Sequence, residues 1–115
     1  MRRNNPGGGV TVSDVSGTWW GKEVDAYVRY HDDGTYQISL TVDGLTTAPI
    51  EQGRFELDGN ALTFVSSAAS QNCNEGEIGH WRVEFIDADL WRLHRIDEEC
   101  ANRGRPSVVT HERQP

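Results

Sequence analysis

GHWRVEFIDADLWRLHRIDEEC, Gly79 to Cys100, interleaves two Trp with two His, three Arg and several carboxylates. A hairpin turning at Asp87-Ala88-Asp89 sorts them into two faces. Phe85 then opposes Trp91 and Val83 opposes Leu93, with Trp81 continuing the apolar stripe. On the other face Glu84 opposes Arg92 and Arg82 opposes His94, the pattern of a solvated sheet surface. The spacing of Trp91, Leu93 and Ile96 departs from a period of two, which predicts a bulge near His94-Arg95. A bulge there could turn His94 inward.

Neighbouring turns give the same result. At HDDGT (His31–Thr35) a two-residue loop would oppose Tyr36 to His31 and Ile38 to Arg29. A three-residue loop with Gly34 left-handed instead pairs Tyr30 with Tyr36, Val28 with Ile38, Ala26 with Leu40 and Val24 with Val42. That register gives an apolar inner face and turns Asp25, Tyr27, Arg29 and His31 outward. GRFELDGNALTF (Gly53–Phe64) turns at Gly59-Asn60, aligning Leu57 with Leu62 and Phe55 with Phe64. No internal repeat and no helical period longer than a turn or two interrupts these short segments. They read as an all-β barrel or sandwich.

A chain of 115 residues is one domain, long enough to bury about two thirds of its unfolded surface. Its formal charge of −7 and pI near 4.9 would repel a phosphate backbone. Ten of the eleven basic residues are Arg, scattered along the chain, so no nucleic-acid or anionic-membrane footprint is expected. No apolar run reaches the length of a bilayer span. The opening MRRNNPGGGVTV lacks the apolar core of a signal peptide, compatible with a cytoplasmic protein or a secreted one whose leader has been removed. Cys73 and Cys100 read as a disulfide closing a loop of about 27 residues, which the chain-entropy relation values at about 3–4 kcal/mol. Two free thiols are the alternative, and a metal role lacks any CxxC spacing. SSAASQNCNEGEIG (Ser66–Gly79), which contains Cys73, is the longest stretch without periodicity and a candidate lid.

Several short pieces then stand out together. They are Gly17-Thr18-Trp19, Asp33-Gly34-Thr35-Tyr36, Pro49, the run from Gly53 to Thr63, Cys73…Gly79, and a closing Leu93…Ile96-Asp97…Cys100…Arg103. In them, over roughly residues 16–103, the chain resembles small bacterial lipocalin-like (calycin-type) β-barrel proteins. The GxW recurs in many barrels; its combination with DGTY and D-x-x-C-x-x-R is more specific. The resemblance implies an antiparallel barrel of about eight strands whose lumen holds a small apolar ligand. It also implies that Trp19 plugs the closed end beneath a late-strand Arg, for which Arg103 and Arg95 are candidates. The chain is shorter than a typical lipocalin, so the lumen would be small or filled by side chains. On this reading residues 1–13 are a flexible N-terminal tail, 14–103 the β-barrel domain and 104–115 a C-terminal tail.

The inward residues Trp19, Tyr30, Tyr36, Phe55, Phe64, Trp81, Phe85 and Trp91 would form the core and line any cavity, suiting a planar or terpenoid-like ligand. The first expectation is therefore binding of a small hydrophobic molecule, with no cofactor. The second is a cofactor-independent cyclase, isomerase or lyase acting on an apolar substrate, with Glu51, His94, Tyr30 and Tyr36 as acid–base candidates. Glu51 qualifies only if it points into the lumen; a wet Glu at a strand start is the simpler alternative. The third is a metal-dependent enzyme using His31, His80 and His94, which on this register share the outer face with Arg29, Arg82 and Arg92. None of the four His lies two residues from another, and no GxSxG nucleophile motif is present. Asp97-Glu98-Glu99 reads as a solvated strand end, with a cation site as the alternative. An exposed edge strand would allow a homodimer.

Overall fold

A computed structural model describes residues 9–68 and 70–115. The chain runs α1 (Val12–Val15), β1 (Gly17–Gly21), β2 (Ala26–Tyr30), β3 (Thr35–Ser39), α2 (Gly44–Thr47), β4 (Glu51–Asp58), β5 (Ala61–Ser66), β6 (Ile78–Asp87), β7 (Leu90–Glu98) and β8 (Val108–Arg113). Each strand pairs antiparallel with the next, and β8 returns to β1, closing an eight-stranded barrel. This all-β architecture is the expected one and is compatible with a lipocalin-like fold. Among the described residues every strand of the barrel has a neighbour on each side.

The three hairpin registers are those read from the sequence. Tyr30 pairs with Tyr36 and Val28 with Ile38, with Gly34 left-handed at φ 87°. Phe55 pairs with Phe64, and Phe85 with Trp91. The pairing of β2 with β3 stops at Ser39, however, so the expected partners Leu40 and Val42 leave the sheet and are exposed. The chain turns there into α2, where Leu45 takes the buried place. The expected bulge falls one step further on. Trp81 opposes Arg95 and His80 opposes Asp97, so Ile96 is the residue left out, 59 % exposed, and His94 stays on the outer face.

Both tail boundaries need correction. Residues 104–115 contain β8, which pairs with β7 and β1 and completes the barrel. Of the N-terminal tail, residues 1–8 lie outside the described residues. Val10 is buried and bonds the Gly59 carbonyl, and α1 caps the barrel end. Under that cap Trp19 is fully buried, donates from Nε1 to the Val15 carbonyl at 2.8 Å, and meets Trp91 edge-on at 5.5 Å. Trp19 thus plugs the end as expected, but the cation over it is Arg113 of β8, 4.2 Å from the ring, rather than Arg103 or Arg95.

Candidate functional site

The loops at the opposite end, β1–β2, β3–β4, β5–β6 and β7–β8, surround a cavity of about 690 Å³. Its walls are inward residues of the strands, among them Ala26, Val28, Ile38, Phe64, Leu93 and Val109. Val24 and Leu40, 41 % and 64 % exposed, make an apolar rim. The β5–β6 loop contributes Asn72 at this mouth, and the Cys73–Cys100 disulfide ties it to the β7–β8 loop, which supplies Asn102, Arg103 and Arg105. Of the eight aromatic residues expected to line a cavity, Tyr30, Phe64 and Trp81 do so. Trp19, Phe55, Phe85 and Trp91 instead fill the other half of the barrel by ring packing, with Phe85 stacked on Trp91 at 5.5 Å and Tyr30 edge-on to Phe55 at 5.1 Å.

Tyr36 belongs to a buried polar network centred on Arg103. Arg103 Nε and Nη2 fork the two oxygens of Glu98 at 2.8 Å each, and Nη2 also reaches the Glu77 carbonyl at 3.0 Å. Nη1 lies 2.8 Å from Glu51 Oε2, 2.8 Å from Ser66 Oγ and 3.0 Å from the Tyr36 hydroxyl. Tyr36 and Ser66 both donate to Glu51 Oε2. Burial opposes the charge on Arg103, but the Glu98 fork and the surrounding acids outweigh it and raise its pKa. Burial and the Glu51 charge push the Tyr36 hydroxyl far above its ordinary range.

Glu51 therefore does point into the barrel, with its side chain fully buried. It is held there by Arg103, Tyr36 and Ser66 and does not line the cavity; its Oε1 has no partner among the described residues. Glu98 corrects another expectation. Its side chain is 2 % exposed, not a solvated strand end, and Trp81 Nε1 donates to it at 2.9 Å. Room for that carboxylate comes from Gly79, the first residue of the opening stretch, where a Cβ would overlap it.

The remaining histidine candidates lie outside. His94 Nε2 meets Glu84 Oε1 at 2.7 Å on the outer surface, out of reach of a reaction in the lumen. His31 bonds Gln37 at 2.5 Å and His80 bonds Thr63 at 3.0 Å, so the three do not converge on an ion. Among the described residues, ligand atoms of three or more His, Cys, Asp or Glu cluster only at Cys73, Glu77 and Cys100, whose two sulfurs are bonded to each other.

The histidine that does face the lumen is His111 of β8, which sequence reasoning placed in a tail. Its ring is 2 % exposed, lines the cavity and stacks on Trp91 at 4.0 Å. Nδ1 lies 3.1 Å from the Val109 carbonyl and Nε2 lies 2.9 Å from the Tyr30 hydroxyl. A carbonyl only accepts, so Nδ1 carries the hydrogen and Nε2 accepts from Tyr30. Burial disfavours the charged ring and lowers its pKa to about 4, and burial raises the Tyr30 hydroxyl well above its usual value. The available signal for β8 was the alternation of Val109, His111 and Arg113 in a β-branched run. Two polar members disguised that inward face.

Compared with known proteins, the chain matches no family model, no curated protein and no solved structure.

Proposed function

We propose that this chain is a lipocalin-like binding protein holding a small hydrophobic molecule at the open end of its barrel. The observation that carries the reading is the apolar-walled cavity of about 690 Å³, which lies within the usual range of small-molecule sites. The exposed rim of Val24 and Leu40 supports it, because a ligand would remove that surface from water at roughly 25 cal/mol per Å². The polar network around Arg103 fits the role of a brace, since it joins β3, β4, β5 and β7 to the β7–β8 loop at the mouth.

A cyclase, isomerase or lyase would use Tyr30 and His111, a hydrogen-bonded pair on the cavity wall. Binding is favoured over that reading on protonation grounds. A ring with a pKa of about 4 is a weak base at neutral pH, and a tyrosine that titrates well above its usual value is a weak acid. Native mass spectrometry of freshly purified protein tests the proposal together with tryptophan-fluorescence titration using apolar probes. Saturable binding of one molecule per chain is expected. Failure of every apolar probe to bind would overturn it.

A further inference from the structure

We infer that the ligand presents a neutral hydrogen-bond donor, the hydroxyl of an apolar alcohol or phenol, to the Tyr30–His111 pair on the cavity wall. This rests on the reading of the cavity as a binding site. His111 Nδ1 must donate to the Val109 carbonyl, so Nε2 has no hydrogen and Tyr30 must give its own hydrogen to it. The Tyr30 oxygen is left with a lone pair and no hydrogen for the lumen. It can accept a hydrogen bond from a ligand and cannot offer one. The neutral state of the buried His111 ring keeps this arrangement in place at neutral pH.

Other groups nearby exclude the usual alternative, an acid. Arg103 is the cation that lines the inner cavity, and its N–H groups are directed at Glu98, Glu77, Glu51, Tyr36 and Ser66. Its two buried carboxylate partners, Glu51 and Glu98, outnumber it by one formal charge. A ligand carboxylate entering this wall would lose its water without gaining a free cation, at a large cost. Arg105 is exposed at the rim, and there an anion stays in water. A ligand ammonium at Tyr30 would likewise be buried, and Glu23, the carboxylate that also lines the cavity, already accepts from the Thr110 backbone and hydroxyl. A ketone or ether would meet lone pair against lone pair. The hydroxyl is the group that satisfies Tyr30 without burying charge.

Calorimetric titration of the full chain with four probes of matched length tests this: 1-decanol, 1-methoxynonane, decylamine and decanoate. The expected order has 1-decanol bound about fivefold to tenfold more tightly than the ether, the scale of one neutral hydrogen bond, with decanoate and decylamine weaker than the alcohol. In Tyr30→Phe the ratio of alcohol to ether falls to about one. Should that variant fold poorly because His111 Nε2 is left unpaired, Tyr30→Phe with His111→Phe removes both polar groups and predicts the same ratio. Equal binding of alcohol and ether by the parent chain, a preference for decanoate or decylamine, or a ratio that survives both variants would overturn the inference. In each of those cases the cavity reading stands. If none of the four probes binds, the cavity reading falls and takes the inference with it.

Discussion

The buried neutral His111 makes stability depend on pH in a defined window. Its pKa falls from 6.5 to about 4 on folding, because burial disfavours the imidazolium. Between those values the unfolded chain holds a proton that the folded chain does not, so stability rises with pH across the window and is lost on acidification. At pH 5 the unfolded ring is about 1.5 pH units below its pKa, which corresponds to about 2 kcal/mol lost relative to pH 7. Glu23 and Glu84 have depressed pKa values, and their contributions are lost only as pH falls below about 4.5. The window from pH 7 to 5 therefore lies above theirs. The test compares urea unfolding of the parent chain with His111→Gln, whose amide can still accept from Tyr30 but does not titrate. The other three His are common to both proteins, so the difference between the two curves isolates His111. The variant is expected to be less stable at pH 7, having lost the Trp91 stack, yet its stability should fall about 2 kcal/mol less on going to pH 5. Parallel curves would refute a buried neutral imidazole.

Further outcomes follow from the network and the barrel ends. Arg103→Met should destabilise the protein by about 3–5 kcal/mol in urea unfolding, since Glu51 and Glu98 would remain buried without their cation. Gly79→Ala should act on the same network by expelling the Glu98 carboxylate, and Trp81 fluorescence would report the lost indole hydrogen bond. Cys73→Ser with Cys100→Ser should cost about 3.5 kcal/mol by the chain-entropy relation for a separation of 27 residues, seen as a lower urea midpoint. Arg113→Ala should uncover Trp19, cost about 1–2 kcal/mol and shift tryptophan emission to the red.

The parts of this fold that were legible in the sequence are those where side-chain chemistry follows the strand period. Each hairpin register came from opposing apolar residues, as with Phe55 and Phe64, because a one-residue slip would have turned them outward. The parts that were not legible are inward positions occupied by polar or absent side chains. β8 presents Val109, His111 and Arg113 along its inner side, and β4 presents Glu51 and Gly53 before Phe55. Glu51, His111 and Arg113 break the apolar alternation on those faces, since each is satisfied by a partner far away in sequence. Arg103 draws Glu51 inward from 52 residues away, and Tyr30 pairs with His111 across 81 residues. Local pattern carries no record of such long-range pairing. The site was half visible for the same reason: Tyr30, Phe64 and Trp81 were found as members of apolar stripes, whereas His111 was not.

The most direct test of an apolar ligand site at the open end is to fill it. Ala26 is 6 % exposed, faces inward from β2 and lines the cavity, so Ala26→Trp places an indole in that space while leaving Tyr30, His111 and the Arg103 network unaltered. Calorimetric titration of the parent chain and this variant with 1-decanol should give saturable binding in the parent and its loss in the variant, with the variant still folded by circular dichroism. Undiminished binding in a folded Ala26→Trp protein would place the ligand elsewhere and contradict a lumenal site.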